Sequence, residues 1–277
     1  MDKIPKENWP EKIGLLAGSG NSPLLAARCA NQQGIPVVSI LFSGENQGPL
    51  EALSENSYSI GVGQISKIIK TLHAEKVKDV LLMGKINKEV IFNKKAFDLK
   101  ALKLLAKMKM RDDGSFQQII LEEFQREGIR VLDQTLLLRD YLPQPGVLGR
   151  KKADKRELKD IAFGFPIAKK IADMEIGQTI VVKDGTVVAV ESMEGSDRAI
   201  QRGCEIAGPG AVIIKVSRPR QDWRFDVPTI GLKTIQTATQ GKAAVLAVEA
   251  GRMLFVEKEE GIRLADSKKL ALVAYAE

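Results

Sequence analysis

From residue 12 to residue 132 the chain alternates short apolar runs with stretches of helical period, and that alternation limits the fold more than any other feature. Residues 12–17 predict a strand, Gly18-Ser19-Gly20-Asn21 a turn, and residues 23–33 a helix with Ser22 as N-cap and Pro23 in its first turn. Gly34 ends that helix. Residues 37–42 predict the next strand, 64–73 a helix, and 77–83 a strand that runs into Gly84 and Lys85. Residues 94–107 and 115–128 predict helices on either side of Arg111-Asp112-Asp113, and 129–132 a further strand. Strands separated by helices specify a layered α/β domain with a largely parallel sheet.

Pro143, Pro145, Gly146 and Gly149, followed by Arg150-Lys151-Lys152, break this pattern and mark a domain boundary. Beyond it the elements are mixed. Residues 155–172 read as a helix, 178–182 and 187–190 as a hairpin about Asp184-Gly185, and 196–202 as a short helix. Strands at 211–216, 245–248 and 270–275 alternate with helices at 232–240 and 258–265. A chain of 277 residues is near the length at which one core gives way to two. The expected division is 1–150 and 151–277.

The formal charge of +7 favours anionic partners. Aromatic residues are only 5%, without the interleaving of rings and cations that stacks single-stranded bases, so no nucleic-acid partner is expected. Cys29 and Cys204 form no CxxC unit, and His73 is the single histidine, which excludes histidine-based zinc sites. Acid–base chemistry therefore falls to Asp and Glu. The N-terminal segment has no apolar signal core, and no run approaches the roughly 18 apolar residues of a membrane span. The expectation is a cytoplasmic protein.

Five places carry candidate chemistry. Gly18, Ser19 and Gly20 lie between a strand and a helix, where backbone amides can meet a phosphate, although the run is neither GxGxxG nor a P-loop and also fits a plain tight turn. Gly84 and Lys85 follow a strand end, where α/β sheets bind ligands and a lysine can clamp phosphate. Asp112 and Asp113 precede a helix; one can cap it while the other meets a metal or a sugar hydroxyl. Glu194 and Asp197 stand three apart about a turn, with Glu191 nearby. In RPRQDWRFDVPTIG, Asp222, Arg224 and Asp226 alternate with Trp223 and Phe225. An extended backbone would put the charges on one face and the rings on the other. With Lys215 just upstream, cations and carboxylates would then stand together, as a pyrophosphate with Mg2+ requires.

LLAGSGNSPLL, LLMGKI, RDDG, LLLRDYLPQPGVLGR, EGSD, KVSRPRQDWRFDVPTIG and AVEAGR occur in that order over residues 11–277. Together they resemble the LpxI family, the UDP-2,3-diacylglucosamine diphosphatases of lipid A synthesis. The resemblance implies a Rossmann-like N-terminal α/β domain and a C-terminal mixed α/β domain, with the active site in the interdomain cleft. It implies Mg2+-dependent cleavage of UDP-2,3-diacylglucosamine to UMP and 2,3-diacylglucosamine 1-phosphate. It also implies peripheral contact with the anionic inner membrane surface, and a homodimer. An essential aspartate of the family lies in the stretch matched by Asp222 and Asp226. Asp226, which leads into Pro228-Thr229-Ile230-Gly231, is favoured, and both are candidate metal ligands. Gly18, Ser19, Gly20, Gly84, Lys85, Asp113, Glu194, Asp197, Lys215, Arg224 and Thr229 are the expected substrate contacts. The alternative reading is a sugar-nucleotide-binding or regulatory protein without chemistry.

Overall fold

A computed structural model describes residues 9–86, 97–106 and 113–276. Asp112, residues 94–96 and 107 of the helix expected at 94–107, and the first eight residues of the N-terminal segment lie outside the described residues. The chain divides into two compact units. One comprises Met1–Leu138 with Trp223–Phe225, the other Arg139–Asp222 with Asp226–Glu277.

The first unit is built on a parallel five-stranded sheet. Its strands are β1 (Ile13–Ala17), β2 (Val37–Leu41), β3 (Asn56–Ser59), β4 (Asp79–Met83) and β5 (Arg130–Val131), in the order β3-β2-β1-β4-β5. β1 is the centre: Ile13 and Leu15 are fully buried, as a strand covered on both faces must be. The largely parallel sheet expected here is observed. β3 was not expected, because Asn-Ser-Tyr-Ser has no apolar run; it is a half-exposed edge strand held by its pairing with β2. The first helix spans Ser22–Gln32 and its N-cap is Asn21 rather than Ser22, with no side-chain cap bond. The turn before it is fixed from outside instead, since the Asn46 amide donates to the Gly20 carbonyl at 2.6 Å.

The second unit has a mixed six-stranded sheet. Its strands are β6 (Gly146–Val147), β7 (Thr179–Lys183), β8 (Thr186–Val190), β9 (Val212–Lys215), β11 (Val245–Glu249) and β13 (Ala271–Tyr275), in the order β6-β13-β11-β9-β7-β8. β9, β11 and β13 are parallel, and the others are antiparallel additions. A small parallel pair joins β10 (Thr229–Ile230) to β12 (Leu254–Phe255). The hairpin turn takes positive φ at both Asp184 and Gly185. Asp160 holds it by accepting the amide N–H groups of those two residues at 3.0 and 2.7 Å. The helix Lys155–Asp173 opens with a capping box between Asp154 and Glu157. It packs Ile161 and Phe165 on the sheet face carrying Ile180 and Ile214. Val181, Ile213, Leu246 and Phe255 belong to the core on the other face.

The helix expected at 196–202 runs from Ser196 to Ala207. Gly203 lies inside it, and a Cβ there would lie 2.5 Å from Val181, so glycine lets the helix lie close on the sheet at that point. Cys204 is buried on the same helix, and burial pushes its thiol up to about 11, so it is no nucleophile at neutral pH. His73 faces Glu127 at 3.6 Å. Among the described residues no helix is long and apolar enough to cross a membrane.

Candidate active site

In the first unit the strand order reverses between β1 and β4. The crevice beyond the carboxyl ends of two such strands is where open α/β sheets bind ligands. Gly18-Ser19-Gly20 leaves β1 and Gly84-Lys85 leaves β4, so five of the sequence-derived site residues meet at this switch point. The two loops are joined by a single antiparallel bridge. Ser19 and Lys85 exchange N–H···O bonds of 2.9 Å in both directions, and the Ser19 hydroxyl adds a bond of 3.1 Å to the Lys85 carbonyl.

This junction changes what the glycine turn can do. The Gly18 amide donates to Met83 at 2.8 Å and the Ser19 amide to Lys85, while the Gly20 amide faces the Glu45 carboxylate at 3.3 Å. The loop's amides are thus used within the protein rather than left pointing at an anion, and the loop acts as the wall that holds the exposed Lys85. Gly84 is required here on two counts. Its φ is +85°, and an added Cβ would lie 2.6 Å from the Ser19 carbonyl oxygen. Gly84→Ala should therefore destabilise the protein by about 2–4 kcal/mol, read from the denaturant midpoint. A loss below about 0.5 kcal/mol would mean that the two loops are not held this closely.

Arg224 is not brought to this junction. It borders an open depression of about 400 Å³ shared with Leu121, Gln125, Arg130 and Val131. Arg130 pairs in register with Asp79, which opens β4, whereas Lys85 follows its close. Asp113 is the first residue of the helix Asp113–Arg126.

In the second unit, the chain leaving β9 at Lys215 enters the arginine-rich stretch. The extended form expected there is not adopted. Turns form at Pro219-Arg220 and Trp223-Arg224, so the charges do not line one face. Proline at the first turn and the Gln221 side chain account for the difference: the Gln221 amide donates to the carbonyls of Asp222 (3.1 Å) and Asp226 (3.3 Å), drawing the two ends of the loop together. Phe225 is buried and Trp223 half-buried. The Trp223 carbonyl accepts the Gln134 amide N–H at 2.8 Å.

Asp222 is half-buried, while Asp226 is exposed. Asp226 has φ +46°, in the left-handed region that L-residues enter at a cost. Lys76, Glu175, Asp184, Lys242, Glu257 and Lys269 share this backbone, so it marks Asp226 as a fixed turn residue and not, by itself, as a site. Lys215 is only 7% exposed, and its ammonium group donates to the Thr229 carbonyl at 2.9 Å. Thr229 in turn donates its hydroxyl to Val227 at 3.0 Å. Lys215 and Thr229 thus tie the far end of the loop back to β9.

Glu194 and Asp197 are turned toward other side chains. Glu194 accepts from Arg202 at 2.6 Å, and that bond holds its carboxyl below the usual carboxylate range. Asp197 stands 3.4 Å from both Lys233 and Thr234. Among the described residues no group of three or more His, Cys, Asp or Glu side chains converges to hold a metal ion.

The sequence reading passed over one cluster. Glu249 closes β11, is 7% exposed, and gathers Lys169, Ser217 and Arg252 about its carboxylate. A signal was present: two adjacent buried parallel strands, VIIK and VLAVE, each end on a charge. Such paired charges at strand ends need partners.

Comparison with known proteins covers both units. The LpxI N-terminal domain model matches residues 12–141 and the LpxI C-terminal domain model matches residues 144–273. The UDP-2,3-diacylglucosamine pyrophosphatase LpxI of Caulobacter vibrioides is similar at 30% identity over 272 residues, 92% of this chain and 94% of that protein. Among solved structures, the biotin carboxylase subunit of pyruvate carboxylase aligns at 14% identity with a TM-score of 0.29, over 72% of this chain and 42% of that one. Glycinamide-RNase-transformylase T from Mycobacterium tuberculosis aligns at 15% identity with a TM-score of 0.25, over 65% and 44%. The chain thus spans less than half the length of these solved proteins, and likenesses so slight say nothing about its chemistry.

Proposed function

The chain belongs to the LpxI family, and from that premise we propose that it hydrolyses the pyrophosphate bond of UDP-2,3-diacylglucosamine, giving UMP and 2,3-diacylglucosamine 1-phosphate. The observation that carries the reading is the match of the two LpxI domain models to residues 12–141 and 144–273, with Asp226 an exposed carboxylate on the loop that the family resemblance singles out.

Hydrolysis of a pyrophosphate adds a water oxygen to one phosphorus and breaks that phosphorus's bond to the bridging oxygen. The water's proton must be accepted as the new bond forms. With one histidine in the chain, a carboxylate does this work, and Asp226 is the residue assigned to it. Its exposure leaves it open to water. Lys215 and Thr229 keep the loop in place behind it. In the first unit, Lys85 offsets phosphate charge from the wall made by Gly18-Ser19-Gly20 and Gly84.

The donor set fits Mg2+. This ion takes one or two carboxylates and fills its remaining positions with water and substrate phosphate oxygens, so it does not need a protein cage of three acids. Asp222 and Asp226 are the residues that would hold it. When bound, the ion supplies neutralisation of charge on the phosphate oxygens. Contact with an anionic bilayer surface belongs to the same reading, because the substrate carries two acyl chains and the chain's net charge is +7.

The test is mass-spectrometric product analysis after incubation with UDP-2,3-diacylglucosamine, with Mg2+ and with chelator. UMP and the diacylated sugar phosphate should form only with metal. Intact substrate in both incubations, with the protein folded, would overturn the reading.

A further inference from the structure

The chain from Ser217 to Pro219 is irregular and has no strand partner, yet its polar groups are held by one network in which Glu249 is buried and Lys169 and Arg252 are partly buried. Glu249 Oε2 accepts the Ser217 amide at 2.8 Å and the Ser217 hydroxyl at 2.9 Å. Lys169 Nζ donates to both Glu249 oxygens, at 2.9 and 3.0 Å, and to the Ser217 carbonyl at 2.9 Å. Arg252 Nε lies 2.8 Å from the Ser217 hydroxyl and 3.2 Å from Glu249 Oε1. Arg252 Nη2 donates to the carbonyls of Arg218 and Pro219, each at 3.1 Å. Every polar group of Ser217, and the next two carbonyls, is therefore fixed.

Stability alone gives little reason for this arrangement. The buried Glu249 carboxylate loses hydration, and Lys169 and Arg252 lose part of theirs, whereas apolar side chains of equal volume would close a sheet end as well or better. What charged groups provide, and apolar ones do not, is directional bonds to backbone that has no ladder partner. The segment they hold leads directly into the loop bearing Asp222 and Asp226. We infer that Glu249, Lys169 and Arg252 are positioning residues for that loop, fixing the origin from which Asp226 is presented. The inference rests on the role given to Asp226 above. Displacements of the order of 1 Å at a reacting group cost about a hundredfold in rate, so a clamp of this kind acts on turnover rather than on binding.

Arg252→Ala tests it, because it removes both carbonyl bonds and leaves Glu249 paired with Lys169. Two measurements are made: steady-state kinetics with UDP-2,3-diacylglucosamine, and the rate of trypsin cleavage after Arg220, whose side chain is 89% exposed on the same loop. The variant should lose on the order of a hundredfold in kcat with KM within about threefold, and cleavage after Arg220 should accelerate about tenfold. Arg252→Lys restores a charge beside Glu249 but cannot reach both carbonyls, so it should recover the melting temperature and not kcat. Wild-type kcat in Arg252→Ala, or a fall in kcat with unchanged cleavage, would overturn the inference. So would full recovery of kcat by lysine. If Arg252→Ala fails to fold, Ser217→Ala removes one hydroxyl of the network and should show both effects at about a tenth of the size. If the wild type does not turn the substrate over, the assigned reaction falls. Cleavage after Arg220 then decides on the clamp by itself: acceleration keeps it, and no change removes it.

Discussion

Asp226→Asn should lower kcat about a thousandfold and leave the melting temperature within about a degree of the parent. The substitution removes the charge and the proton-accepting capacity. It keeps the size of the side chain and its tolerance of left-handed backbone, which Asn shares with Asp. Asp226→Ala should lose the same activity but also about 1 kcal/mol of stability, because alanine has no compensating local hydrogen bond at φ +46°. The pair separates chemistry from folding. If instability were the cause of the lost activity, the Asn variant would be active. Kinetics and thermal denaturation on both proteins decide it, and an Asn variant retaining more than about a tenth of the parental kcat would remove Asp226 from the mechanism. Asp222 has no such backbone signature, and its Asn variant should lose less.

That contrast shows where sequence reasoning reached and where it stopped. The parallel sheet of the first unit was legible because β1, β2 and β4 are mostly apolar runs separated by helical periods. β3 was not, since an edge strand needs no apolar pattern. The glycines of the β1 and β4 turns were readable as site features by their place after strands. Their use was not readable: it is the bonds to Met83, Lys85 and Glu45 that show the amides are committed to the protein. In the arginine-rich stretch the residue types pointed to anion chemistry, but the alternation of charge and ring suggested an extended chain. The turns there depend on Gln221 and on bonds from residues far off in sequence, and a period-2 pattern carries no trace of either. Glu249 was missed for a related reason. Its importance comes from Lys169, 80 residues upstream, and Ser217, 32 upstream, which meet only in the folded sheet.

Removing divalent metal should abolish turnover, a fall of at least about a hundredfold, and Mg2+ should restore it. The form of the restoration is the more informative part. Among the described residues no three potential ligands converge, and the proposed ligands are two, Asp222 and Asp226. A two-carboxylate set holds a strongly hydrated ion weakly until phosphate oxygens complete its shell. Metal and substrate must then assist each other's binding, and the assistance is reciprocal. The Mg2+ concentration giving half-maximal rate should fall as the substrate concentration is raised toward saturation. Without substrate, Mg2+ at about 5 mM should stabilise the fold by less than about 1 kcal/mol, because stabilisation grows only with the ratio of ion to dissociation constant. Asp222→Asn should raise the half-maximal Mg2+ concentration more than it lowers the rate at saturating metal. A half-maximal concentration independent of substrate, together with a large thermal shift at micromolar metal, would require a preformed cage. The assignment of Asp222 and Asp226 as the ligands would then be wrong, while the role of Asp226 toward water would still stand on the Asn variant.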